Sequence, residues 1–130
     1  MPTEDQIEYA QHLCERIPSL DEVRFVASGS EATNMAIRAA RAFTGKRNIM
    51  KVDGGYHGTH NIGELNSFGA SQRGSCKPMP AMGAHGSEIN DIVLFPWNDE
   101  EALQRIISEN AGVFAGLIIE PIVVVGGVIT

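Results

Sequence analysis

Cysteine, aromatic residues and positive charge are all scarce in this chain. Only two cysteines occur among 130 residues, Cys14 and Cys76. They are far apart, form no CxxC pair and sit in no secretory context, which excludes a disulfide framework and reads as two reduced thiols of a cytoplasmic protein. Ten Lys and Arg against sixteen Asp and Glu leave a formal net charge of -6. The basic residues are scattered, and a nucleic-acid or anionic-membrane surface needs a concentrated basic patch. No uncharged run is long enough to span a bilayer, and the start carries Glu4 and Asp5 where a leader would be basic, so a soluble protein is expected. Neither GxxxxGK[ST] nor GxGxxG occurs, which removes the common nucleotide-binding fingerprints. Internal repeats and low-complexity segments are also missing.

What is present is globular. Hydrophobic residues make up 43% and charged residues 20%, aromatics only 6%, while glycine is plentiful at 14 residues. One domain of this length can bury roughly two-thirds of its unfolded surface.

The organising stretch is Val23-Arg24-Phe25-Val26-Ala27-Ser28-Gly29-Ser30-Glu31-Ala32. A short β-branched and aromatic run reads as a covered strand over 23–27, breaks at small residues and opens into a helix. Ala32, Met35, Ala36, Ala39, Ala40 and Phe43 follow one helical face to a stop at Gly45. The first N–H groups of that helix lack partners within it, and its dipole places partial positive charge there. Gly29, Ser30 and their neighbours therefore suit a phosphate without any lysine or arginine. The same residues also read as plain capping, with Ser28 as N-cap and Glu31 completing a capping box.

Elsewhere, Thr3 with Gln6 starts a first helix whose Ile7, Ala10, Cys14 and Ile17 form a buried stripe closed by Pro18. Asn48 to Val52 returns as a strand. It runs into Gly54-Gly55-Tyr56-His57-Gly58, a glycine-rich turn at the strand end where α/β sheets hold ligands. Tyr56 reads either as a stacking surface for a planar ligand or as a loop aromatic over the core edge. Residues 67–87 form a long loop. Asp91 to Phe95 is a strand, Asn98 with Glu101 caps a further helix, and Phe114 to Ile119 reads as a strand buried on both faces, ending in Glu120-Pro121. Alternating strands and helices give α/β with a mostly parallel sheet. A zinc set of His57, His60, His85 and Cys76 has no paired ligand spacing.

Ser28-Gly29-Ser30-Glu31-Ala32, Gly55-Tyr56-His57-Gly58, Pro96-Trp97-Asn98-Asp99 and Glu120-Pro121, in this order and spacing, resemble the class III pyridoxal-phosphate-dependent aminotransferases. The likeness is nearest to glutamate-1-semialdehyde 2,1-aminomutases and their relatives and runs from about Thr3 to Pro121. It implies the large domain of a fold type I transferase, a homodimer in the full-length enzyme, and an amine or amino-acid-like substrate. It further implies that Gly29 and Ser30 hold the cofactor phosphate, that Tyr56 stacks on the pyridine ring with His57 close by, and that Ser28, Glu31 and Glu120 line the site. The family's Schiff-base lysine and pyridine-pairing aspartate lie beyond the position of Glu120-Pro121. Residues 1–130 are thus expected to be a partial cofactor domain, without the family's N-terminal segment and without that lysine, and inactive alone. Lys46, Lys51 and Lys77 read as solvated charges. Val123-Val124-Val125 stands where the family often has a polar stretch. The alternative is a noncatalytic chain that keeps the fold as an interaction or dimerising partner.

Overall fold

A computed structural model of the chain describes residues 2–67, 76–84, 86–125 and 128. The central sequence signal, a run of apolar residues at 48–52, becomes strand β1 (Asn48–Val52). It lies between β2 (Ile92–Phe95) and β3 (Phe114–Ile118), parallel to both, in the order β2-β1-β3. Parallel strands need crossovers, and helices supply them on the two faces of the sheet.

Four helices accompany the sheet: α1 (Glu4–Arg16), α2 (Gly29–Thr44), the single turn α3 (Asn61–Glu64) and α4 (Glu100–Glu109). A 3-10 turn, Gly86–Asp91, leads into β2. Successive side chains of β1 point to opposite faces. Ile49 joins Ile37 of α2, Ile62 and Leu65 near α3, and Ile92 and Leu94 of β2 in one buried cluster. Met50 and Val52 join Phe95 in a second, covered by Leu103 and Ile106 of α4. Arg41 and Arg47 both approach the Asp91 carboxylate, at 3.7 and 3.1 Å, and so tie α2 to the start of β2.

Helix boundaries follow the local chemistry closely. Thr3 and Gln6 form the complete capping box of α1. Gly45 closes α2 in the left-handed conformation, φ 69°. At α4 the N-cap is Asp99 rather than Asn98, its carboxylate accepting the Ala102 N–H at 2.9 Å. Asn98 instead adopts the left-handed turn before it, φ 55°.

Several burial expectations fail for one shared reason, that a face is buried only where something covers it. Residues 23–27 form no strand and pair with none of the described strands. Phe25 lies against α1, its ring stacked on Tyr9 at 5.7 Å. No residue of α1 is buried, and Ile7 and Ile17 are exposed. In α2, Ile37 is buried and Ser30, Thr33, Met35, Ala40, Arg41 and Thr44 are half-buried, so of the expected face Met35 and Ala40 are partly covered, whereas Ala32, Ala36 and Ala39 face outward and Phe43 is 94% exposed. In β3, Phe114, Ala115 and Ile118 pack against the two clusters while Leu117 is exposed, so the strand is not covered on both faces. The irregular segment 76–84 and the 3-10 turn occupy part of the long loop; residues 68–75 and His85 lie outside the described residues.

Candidate functional site

Three chain segments meet where β1 ends: the N-terminus of α2, the turn 53–60, and the stretch after β3. Ser28 is extended and its Oγ accepts the Glu31 N–H at 3.2 Å. The Glu31 carboxylate reaches back one residue further than a capping box requires, to the Ala27 N–H at 2.7 Å. The Ser28–Glu31 reading is thus half right: Ser28 caps, while Glu31 anchors the entering chain. These bonds leave the Gly29 and Ser30 N–H groups without a partner among the described residues, directed out of a 16-residue helix. A Cβ built on Gly29 would meet nothing within 4 Å, so the approach to these N–H groups is open.

The turn after β1 closes on the same spot. Gly58 lies so near Ser30 that a Cβ on it would be 2.7 Å from both Ser30 Cα and Ser30 Oγ, and its φ of 108° disfavours any side chain. Thr59 donates its N–H to Ser30 Oγ at 3.1 Å, with its hydroxyl 3.5 Å from the same atom. Gly29, Ser30 and Thr59 thus present two unengaged backbone N–H groups and two hydroxyls at one helix N-terminus. That donor set, free of fixed negative charge apart from the occupied Glu31, fits a phosphate.

Beneath the turn runs a hydrogen-bonded relay. His60 Nδ1 accepts the Gly63 N–H at 3.1 Å, so Nε2 carries the proton and donates to Thr33 Oγ1 at 3.0 Å. Thr33 in turn donates its hydroxyl to the His57 carbonyl at 2.6 Å. Burial holds the His60 pKa below 6.5, in keeping with a neutral ring. Both ring nitrogens are therefore committed. Among the described residues no three His, Cys, Asp or Glu side chains gather to hold a metal, and His85 of the zinc set lies outside the described residues.

His57 is buried, and its Nε2 has no partner among the described residues. Burial, reinforced by the Lys51 charge, pushes its pKa down to about 4 from 6.5, so the ring is neutral at pH 7. Between those two values the unfolded chain holds a proton that the folded chain refuses. Stability is therefore full above pH 6.5 and falls as the pH drops toward 4, by up to about 3 kcal/mol. Urea midpoints measured across this window should decline in the native chain and decline less in His57→Asn. Equal slopes would assign the acid sensitivity to other groups.

Tyr56 and Glu120 are joined directly. Glu120, just past β3, accepts the Tyr56 N–H on Oε1 at 2.7 Å and the Val124 N–H on Oε2 at 3.2 Å. The carboxylate thus sets the backbone of the aromatic residue and also fastens the valine stretch, of which Val123 is buried and Val124 exposed. All of Ser28, Gly29, Ser30, Glu31, Tyr56, His57 and Glu120 accordingly fall at the C-terminal side of the sheet or on the helix N-terminus facing it.

Lys51 corrects the sequence reading most sharply. It is fully buried, and its ammonium donates to the carbonyls of Gly63, at 3.2 Å, and of Leu65. Burial lowers its pKa to about 8, against the opposing pull of Asp53 and Glu120. Ile49 and Lys51 share the face of β1 that α2 and α3 cover. Thr33 carried no signal in the sequence, being one polar residue within an alanine-rich helix.

A small parallel α/β sheet with an anion-ready helix terminus and an aromatic turn at its C-terminal edge belongs to a class of cofactor-binding folds. The family model described as Aminotransferase class-III matches residues 1–130, and the chain belongs to that family. Glutamate-1-semialdehyde 2,1-aminomutase of Methanocaldococcus jannaschii is 40% identical over 121 residues, covering 93% of this chain and 28% of that protein. A solved transaminase with PLP bound superposes with a TM-score of 0.87 at 32% identity, over 99% of this chain and 30% of its own. An omega-transaminase from Sphaerobacter thermophilus gives 0.80 at 38% identity, over 93% and 28%. The chain spans less than a third of the length of these relatives.

Proposed function

We propose that this chain supplies the phosphate-holding and ring-facing part of a pyridoxal phosphate site in an enzyme that transfers an amino group. The substrate is an amine or an amino-acid-like molecule. The observation that carries this reading is the apposition of Gly58 and Thr59 on Ser30 beside the unengaged N–H groups of Gly29 and Ser30. Bound there, the cofactor supplies an electron-withdrawing ring. The chain's own residues bind and orient it. Gly29 and Ser30 hold the phosphate, Tyr56 faces the ring, neutral His57 is a second contact, and Glu120 fixes the Tyr56 backbone.

The 130 residues alone are expected to bind and not to turn over. Covalent attachment needs a free amine at the ring, and the Lys51 amine is committed to two buried carbonyls. An amino-transfer assay on the purified chain checks this; turnover that Ser30→Asp abolishes would contradict it. For the site itself, inorganic phosphate added to isotope-labelled chain should shift the amide signals of Gly29, Ser30 and Thr59 saturably. Shifts spread evenly over the surface would remove the phosphate assignment.

In the whole enzyme the reading extends to a cytoplasmic homodimer. A second reading, a noncatalytic chain that associates with a complete relative, draws on the outward apolar row of α2 that ends in Phe43. It predicts association that does not depend on cofactor.

A further inference from the structure

One buried cation has no part in holding the cofactor directly. Lys51 is 0% exposed near the C-terminal end of the central strand, where an apolar side chain would cost nothing to bury. Such a group persists where its hydrogen bonds hold something in place. Here they hold the carbonyls of Gly63 and Leu65, the end of α3 and the residue that follows it.

From those carbonyls a continuous set of contacts leads to Ser30. The Gly63 carbonyl that accepts from Lys51 also accepts the His57 N–H at 3.0 Å. The α-carbon of Gly63 rests directly on the turn: a Cβ there would be 2.6 Å from the Gly58 carbonyl oxygen and 2.8 Å from the His57 carbonyl carbon. Gly58, so pressed, lies against Ser30, and Thr59 reaches Ser30 Oγ. Two glycines, each too crowded for a methyl group, transmit the contact without a flexible side chain between them.

We propose that Lys51 is a positioning residue for the phosphate site, drawing α3 onto the 57–59 turn so that Gly58 and Thr59 stand against Ser30. This rests on the phosphate reading of Gly29 and Ser30, and it specifies which buried group fixes the second wall of that site. Lys51 touches no ligand; it acts through Gly63 and Gly58. The neighbouring Asp53 is engaged separately, by the Asn66 side-chain amide at 2.9 Å, and does not replace the carbonyls as partner.

The test compares the native chain with Lys51→Met, which keeps the apolar stem and removes the donors. Binding is read with pyridoxamine phosphate and with pyridoxamine, neither of which condenses with surface lysines. Pyridoxamine phosphate affinity should fall about tenfold in Lys51→Met, the scale of losing one to two buried hydrogen bonds, while pyridoxamine affinity stays as in the native chain. A role confined to general stability would move both ligands together or neither, and that result would overturn the proposal.

Amide hydrogen exchange gives a readout that needs no ligand. The Thr59 amide should lose protection in Lys51→Met while the β1 and β2 amides keep theirs; equal protection of Thr59 in both chains would overturn the proposal. Should Lys51→Met fail to fold, Gly63→Ala breaks the same link with Lys51 intact and must expose Thr59 in the same selective way. If the native chain binds pyridoxamine phosphate no better than pyridoxamine, the phosphate reading fails by itself, and the exchange of Thr59 still decides whether Lys51 holds the turn.

Discussion

Gly58→Ala should destabilise the folded chain by about 3 kcal/mol and remove phosphate binding with it. Two penalties coincide at this position. The φ of 108° is one that a residue with a Cβ rarely adopts, and the new methyl carbon would stand 2.7 Å from Ser30 Cα. That atom belongs to the first turn of a 16-residue helix and cannot step aside as the end of a flexible side chain would. The turn must lift away, taking the Thr59 N–H off Ser30 Oγ. Gly29→Ala is the matched control, because its Cβ would meet nothing within 4 Å. Urea unfolding of the two variants separates them, with Gly29→Ala expected within about 0.5 kcal/mol of the native chain. A Gly58→Ala chain as stable as the native one would show that the close approach of the turn to the helix is not what shapes the site.

Ser30→Asp should act in the opposite manner, sparing stability and destroying affinity. A carboxylate in the first turn of α2 interacts favourably with the helix dipole, worth about 0.3–1 kcal/mol, and still offers the Thr59 N–H an acceptor. Toward a phosphate it presents a like charge where a neutral hydroxyl stood. Pyridoxamine phosphate affinity is therefore expected to fall about 100-fold, with the midpoint of unfolding little changed. Pyridoxamine, which has no phosphate, should bind the variant as it binds the native chain. A uniform loss for both ligands would mean that the new carboxylate had deformed the site, and an unchanged affinity for pyridoxamine phosphate would place the anion elsewhere.

These variants bear on features that differ in how legible they are from sequence. Thr3, Ser28 and Gly45 mark helix ends through hydrogen bonds and backbone angles made within a few residues, and the structure keeps all three. The run Asn48–Val52 and the glycine turn after it are equally local, so the position of the site at the strand end was open to inference. Which face of an element is covered is a different matter. The apolar rows of α1 and α2 and the fully hydrophobic β3 satisfy the periodicities of buried elements, yet their cover depends on neighbours that no periodicity names. Residues 23–27 show the same limit, since a strand exists only through its partner. The roles of Lys51 and Thr33, and of His60 beyond a candidate zinc ligand, were missed because each is tied by hydrogen bonds to backbone groups distant in sequence or to one another, which residue type does not announce.

On the proposed reading, the helix terminus and the 57–59 turn hold an anion and Lys51 keeps that turn in place. On that reading Gly29, Ser30 and Thr59 hold a phosphate group. The most direct measurement is a titration of the native chain with pyridoxamine phosphate, followed by intrinsic fluorescence, with inorganic phosphate as competitor. Saturable binding that inorganic phosphate reverses is the predicted result. Binding that does not saturate, or that inorganic phosphate leaves untouched, would contradict it.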